Sequence, residues 1–155
     1  GGNQENGYRP GTENLPGISG FAFALNKGIK NREVEYNRIN EIKNYFIKGL
    51  NKINKDLGID IKINGDIKSC SPHILSININ GIDNEMFVFR LDAKGIYCST
   101  KSACLRDENE SYVMKAIGVK NTNNVVRFSF GMYTTKKDID YTLKCMRDIL
   151  LKFYK

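Results

Sequence analysis

The chain has 155 residues, 41% of them hydrophobic and 26% charged, and 24 basic against 17 acidic side chains give it a formal charge of +7. That is one domain's worth of sequence, with enough apolar residues for an ordinary core. No apolar run approaches the ~20 residues of a membrane-spanning helix, and no export signal opens the chain, so no membrane partner and a cytoplasmic setting are expected. The lysines are spread along helical segments rather than clustered. The charge permits an anionic partner, but direct nucleic-acid binding is not expected.

Residues 1–17, GGNQENGYRPGTENLPG, show no periodicity and are rich in glycine and proline, which is loop chemistry. An abrupt start inside such a segment suggests a cut chain. A helix is expected from about Ile18 to Lys27, with Gly28 as its stop. The next carries one apolar stripe, Ile39, Ile42, Phe46, Leu50, Ile53 and Leu57, and ends at Gly58. The period then drops to two at Ile59, Ile61 and Ile63, and again at Leu75, Ile77 and Ile79, giving two strands with one buried face. Asp83 is placed to cap a helix reaching about Lys94, and Gly95 to end it.

Ile96 to Ser99 reads as a short strand, Ser111 to Ile117 as a brief helix closed by Gly118, and Val125 to Phe130 as another strand. Thr135 with Asp138 opens the last helix with a capping-box pattern, and its stripe is Ile139, Leu143, Met146, Leu150 and Phe153. This order predicts an α+β fold, a small and mostly antiparallel sheet covered by helices.

Phosphate-cradling glycine loops and a Gly-x-Ser-x-Gly nucleophile motif are both absent from the sequence. The four cysteines (Cys70, Cys98, Cys104, Cys145) are not spaced as a disulfide scaffold and are expected to be reduced. Cys70 and His73 are spaced as some zinc ligands are, but no second close pair accompanies them, so no metal site is expected. Cys145 reads as core packing on the last helix. Cys104 differs: Ser99, Thr100, Lys101 and Ser102 precede it, and no apolar stripe includes it. Lys101 and Arg106 would favour its thiolate if they lie close, although an incidental loop cysteine fits equally. Arg127, inside VVRFSF, either meets an anion or lies on the solvent face of an edge strand.

Four stretches together resemble one family. GGNQENGYRPGTEN is similar to the GG-x-Q-E-x-G-x-R-x-G-T-E-N signature of pyridoxal-phosphate-dependent cysteine desulfurases, within the class V aminotransferase group. SPHILSININGID, LDAKGIYCSTKSAC and VVRFSFGMYTTKKDID resemble later segments of that family, in its order and spacing over essentially the whole chain. The resemblance implies the C-terminal small domain of a fold-type I enzyme, residues 18–155, preceded by a cofactor-proximal loop, residues 1–17, from the end of the large domain. It implies pyridoxal 5'-phosphate in the full-length enzyme. The lysine that holds the cofactor covalently would lie in the large domain, since none here stands in its Ser-x-His-Lys context.

The family roles follow residue by residue. Cys104 would be the nucleophile that takes sulfur from cofactor-bound L-cysteine, leaving alanine and a persulfide for a sulfur-acceptor protein. Arg127 would hold the substrate carboxylate, and Thr12 would donate to the cofactor phosphate of the neighbouring subunit in a full-length homodimer. Gly11 would give the turn that places Thr12. The chain departs from the pattern at Lys101, where glycine is usual, and at Met132, where arginine is common. Alone, such a fragment would not turn over substrate. Full length, it would serve iron–sulfur cluster assembly or tRNA thiolation. The alternatives are a selenocysteine lyase or other class V lyase, and a free-standing basic α+β module that binds RNA or protein.

Overall fold

The computed structural model describes residues 1–101, 111–119 and 124–154. Its elements are α1 (Leu15–Leu57), β1 (Ile61–Ile63), β2 (Ile74–Ile79), α2 (Asn84–Asp92), α3 (Tyr112–Ala116), β3 (Val125–Ser129) and α4 (Lys136–Phe153). The described residues form the expected α+β arrangement, with one antiparallel sheet in the order β1-β2-β3. Two compact units are distinguished, Gly1–Glu35 and Tyr36–Lys155.

Gly28 does not stop a helix. Both expected helices belong to α1, which starts at Leu15, where Asn14 Oδ1 accepts the backbone N–H of Gly17 at 3.2 Å. A glycine ends a helix by adopting the left-handed conformation, and Gly28 does not adopt it, whereas Gly58 does, with φ +63°. An interior glycine costs about 1 kcal/mol relative to alanine, and Lys30, Arg32, Glu33 and Glu35, good helix formers, follow without a proline. No residue of the first unit is buried.

In the second unit, the α1 stripe Ile39, Ile42, Phe46, Leu50 and Ile53 is buried, as the spacing requires. It meets Leu75, Ile77 and Ile79 of β2 and Val126 and Phe128 of β3 in one core. Phe46 stands edge-on to Phe128 and to Phe130, with ring centroids 5.0 and 6.1 Å away. Register sets these faces: Ile77 pairs with Val126 and Leu75 with Phe128, so side chains from both strands enter the core together. In α4, Thr135 Oγ1 accepts the Asp138 N–H while the Asp138 carboxylate accepts the Thr135 N–H, which completes the expected capping box.

Ile96 to Ser99 is not a strand. The Ile96 N–H turns back to the Leu91 carbonyl at 3.0 Å, closing the end of α2, and only Ser99 pairs, as an isolated bridge to Arg127.

Gly49 of α1 lies against Leu143 of α4, because a Cβ built there overlaps the Leu143 side chain. Gly49→Val is therefore expected to destabilise by about 1–3 kcal/mol, the usual cost of overpacking. Urea denaturation should show a lower midpoint at unchanged slope. An unchanged midpoint would mean that Leu143 moves aside freely.

Candidate functional site

Alternation along β3 fixes where Arg127 lies. Val126 and Phe128 enter the core, so Arg127 lies on the opposite face, opposite Ser76 of β2 in the register. Its backbone is spoken for on the other side: its N–H donates to the Ser99 carbonyl at 2.7 Å, and its carbonyl accepts from the Ser99 N–H at 3.1 Å. The outer edge of β3 is thus occupied at Arg127, so it is not on an open edge. The pairing also ties Arg127 to the segment leading into Lys101, whose carbonyl accepts the Ser99 hydroxyl at 2.6 Å.

The Arg127 side chain is half-buried, yet no carboxylate or carbonyl among the described residues accepts from its guanidinium. A guanidinium is a rigid fork of donors suited to a planar anion, and here the fork is open among the described residues. Arg38 shows the contrast. Its Nη1 and Nη2 donate to the carbonyls of Thr134 and Gly131 at 2.8 and 3.0 Å, fixing the turn that follows β3. That turn is held again by His73, whose Nδ1 lies 3.1 Å from the Phe130 carbonyl and whose own carbonyl accepts the Phe130 N–H. That ring nitrogen faces a backbone carbonyl.

Thr12 belongs to the first unit and is exposed. The loop that carries it folds on itself: Gly11 takes φ +108°, its N–H donates to Gln4 Oε1 at 3.1 Å, and Arg9 Nη1 donates to the Thr12 carbonyl at 2.6 Å. Gln4 and Arg9 therefore shape the loop. Just upstream, Glu5 and Asn6 both have left-handed backbones, with φ of 52° and 55°. For a glutamate that conformation is strained, and strain of this kind gathers at ligand-binding segments.

Cys104, the expected nucleophile, lies outside the described residues. The other three thiols differ sharply. Cys145 is buried on α4. Cys98 is partly buried, and that burial, with a smaller push from the Asp92 carboxylate, raises its thiol to about 12, so it remains protonated at neutral pH. Cys70 is exposed, and the Lys43 ammonium donates to its sulfur at 2.9 Å. The sequence reading missed Lys43 and Arg38. Lys43 had a legible signal: it sits four residues after Ile39 and three before Phe46, on the apolar stripe itself. Arg38 had none, because nothing local distinguishes it from the solvated lysines around it.

The described residues form an α+β unit, a small antiparallel sheet with helices packed on it, and residues 2–142 match the family model of aminotransferase class V. The chain belongs to that family. Among curated relatives it is 35% identical over 98% of its length to a cysteine desulfurase IscS of Dictyoglomus turgidum. It is 31% identical over 95% of its length to one from Pectobacterium carotovorum. It spans 38% and 35% of the lengths of these two proteins. Among solved structures, a NifS-like protein superposes over 98% of this chain and 38% of its own, with a TM-score of 0.81 at 27% identity. A NifS-like protein from Rickettsia africae shares the fold over 97% of this chain and 38% of its own, with a TM-score of 0.77 at 24% identity.

Proposed function

We propose that this chain is the C-terminal part of a cysteine desulfurase, the small domain with the loop of residues 1–17 from the end of the large one. In this reading the whole protein takes sulfur from L-cysteine, releases alanine and carries the sulfur as a persulfide on Cys104. The observation that carries the proposal is the open, half-buried guanidinium of Arg127, tied through Ser99 to the segment that leads to Cys104. Two relatives named as cysteine desulfurases, aligned over nearly the whole chain, give the same direction.

Arg127 binds the substrate carboxylate through two parallel N–H donors, which orients the substrate's sulfur. Cys104 then attacks that sulfur as the thiolate: a sulfur–sulfur bond forms, the carbon–sulfur bond breaks, and alanine departs. The residues of the first unit fit the phosphate of pyridoxal phosphate. Thr12 offers an exposed hydroxyl on a turn set by Gly11, and its carbonyl is already engaged by Arg9. When bound, that cofactor supplies the electron sink for carbon–sulfur cleavage. A homodimer, a cytoplasmic setting, a sulfur-acceptor protein and a place in iron–sulfur cluster assembly or tRNA thiolation are parts of the same proposal.

The test is an assay of the protein completed to the length of its desulfurase relatives, with pyridoxal phosphate, L-cysteine and a thiol reductant. Alanine and sulfide should appear in equal amounts. Pyruvate and ammonia as products would point to another class V lyase. Turnover of L-selenocysteine but not L-cysteine would make it a selenocysteine lyase.

A further inference from the structure

A lysine and a cysteine meet between α1 and the turn before β2, where none of the chemistry above is placed. Lys43 is buried, with 1% of its surface exposed, on the core-facing stripe of α1. Its Nζ has two acceptors, the Cys70 sulfur at 2.9 Å and the Ser71 carbonyl at 3.1 Å. No carboxylate among the described residues accompanies it. An ammonium carries three donors and a full charge, so among the described residues one donor and the charge lack a partner, which is an expensive state for a buried cation.

The sulfur side is fixed as well. Cys70 Sγ–H is directed to the Ile67 carbonyl at 3.5 Å, and the Cys70 N–H is held by the Asp66 carbonyl at 3.0 Å. This leaves a sulfur lone pair facing the nitrogen. Cys70 is exposed, so a small oxidant reaches the sulfur, whereas bulk solvent does not reach the amine.

We propose that Lys43 and Cys70 are a covalent modification site: a peroxide-class oxidant links them through one bridging oxygen, giving a reversible nitrogen–oxygen–sulfur crosslink. Overall, the neutral amine, the thiol and two molecules of hydrogen peroxide give the crosslink and three molecules of water. Nitrogen and sulfur each lose two electrons, which are taken up by the two peroxide oxygen–oxygen bonds; starting from the ammonium, one further proton is released. Four electrons from a dithiol reductant restore the amine and the thiol and release the oxygen as water. The observed separation suits a single intervening atom, whereas a direct sulfur–nitrogen bond would need the two atoms to close substantially. The link would staple α1 to the turn before β2, the turn that carries His73 and through it the end of β3. It does not depend on the desulfurase reading.

The experiment treats the protein with hydrogen peroxide, digests it without reductant and maps the peptides by mass spectrometry. A peptide joining Lys43 to Cys70 is expected, heavier than the sum of its parts by one oxygen less two hydrogens. It should vanish on incubation with dithiothreitol and be missing from Cys70→Ala, a substitution at an exposed position that leaves the core intact. A linked peptide lighter by two hydrogens would be a direct sulfur–nitrogen bond and would overturn the bridging oxygen. Recovery of Cys70 as a sulfinic acid or a mixed disulfide, with Lys43 unmodified, would overturn the site. So would crosslinking of Cys70 to other lysines as readily as to Lys43.

Discussion

Cys104→Ser is expected to abolish persulfide formation in the protein completed to its relatives' length, while leaving the absorbance of bound pyridoxal phosphate in place. The serine hydroxyl is close to the thiol in size but cannot carry sulfane sulfur, so the loss should be complete rather than partial. The competing thiols make the result informative. Cys98 is held protonated to about 12 by burial and the nearby Asp92 charge, and Cys145 is inside the core, so neither can substitute at neutral pH. Cys70 is exposed and receives the Lys43 ammonium. It is therefore the one described thiol able to stand in. Persulfide that persists in Cys104→Ser and maps to Cys70 would overturn the nucleophile assignment while leaving the family intact. Trapping with an alkylating reagent, followed by peptide mapping, separates these results directly.

Much of this architecture was legible because it is written in short-range patterns. The α1 stripe from Ile39 to Ile53, the alternation in β2 and the Thr135–Asp138 box each involve residues within a turn or two of one another, where periodicity and capping govern. The misreadings lay where the outcome depends on something distant or on a conformational choice. Gly28 could end a helix only by turning left-handed, and nothing after it made that turn necessary. Ile96 had the right residue type for a strand, but its N–H was taken by Leu91 before pairing could begin.

The site shows the same division. Physical reading of the sequence marked Arg127 as anomalous but left the solvent face of an edge strand open. The occupancy of that edge by Ser99 is a long-range pairing that no local pattern contains. The role of Thr12 rested on resemblance alone, because a hydroxyl in a polar loop has no physical signature until its ligand is known. Cys104 stood out by its polar flanks and basic neighbours, but an incidental loop cysteine fitted those equally until the resemblance was added. Lys43 lay in plain view on an apolar stripe; a buried ammonium is rare enough that its position alone demanded a partner.

Arg127→Ala should separate recognition from stability. The guanidinium has no acceptor among the described residues, so its removal breaks no hydrogen bond among them and leaves Val126 and Phe128 packed as before. The melting temperature is expected to remain near that of the parent protein. Substrate binding is another matter. Losing a charge-assisted bidentate contact costs about 1.5–3 kcal/mol, which corresponds to roughly a ten- to hundredfold loss in kcat/KM for cysteine. Cofactor affinity should change little, because the phosphate contact assigned to this chain is at Thr12. Arg127→Lys sharpens the test: lysine keeps the charge but not the planar fork, so it should recover only a minor part of the loss. Full recovery by lysine would mean that a point charge suffices and that the carboxylate is not held bidentately. Unchanged saturation by cysteine in Arg127→Ala would remove Arg127 from the site altogether. A large fall in melting temperature, with activity falling only in proportion to the folded fraction, would make it a structural residue of β3.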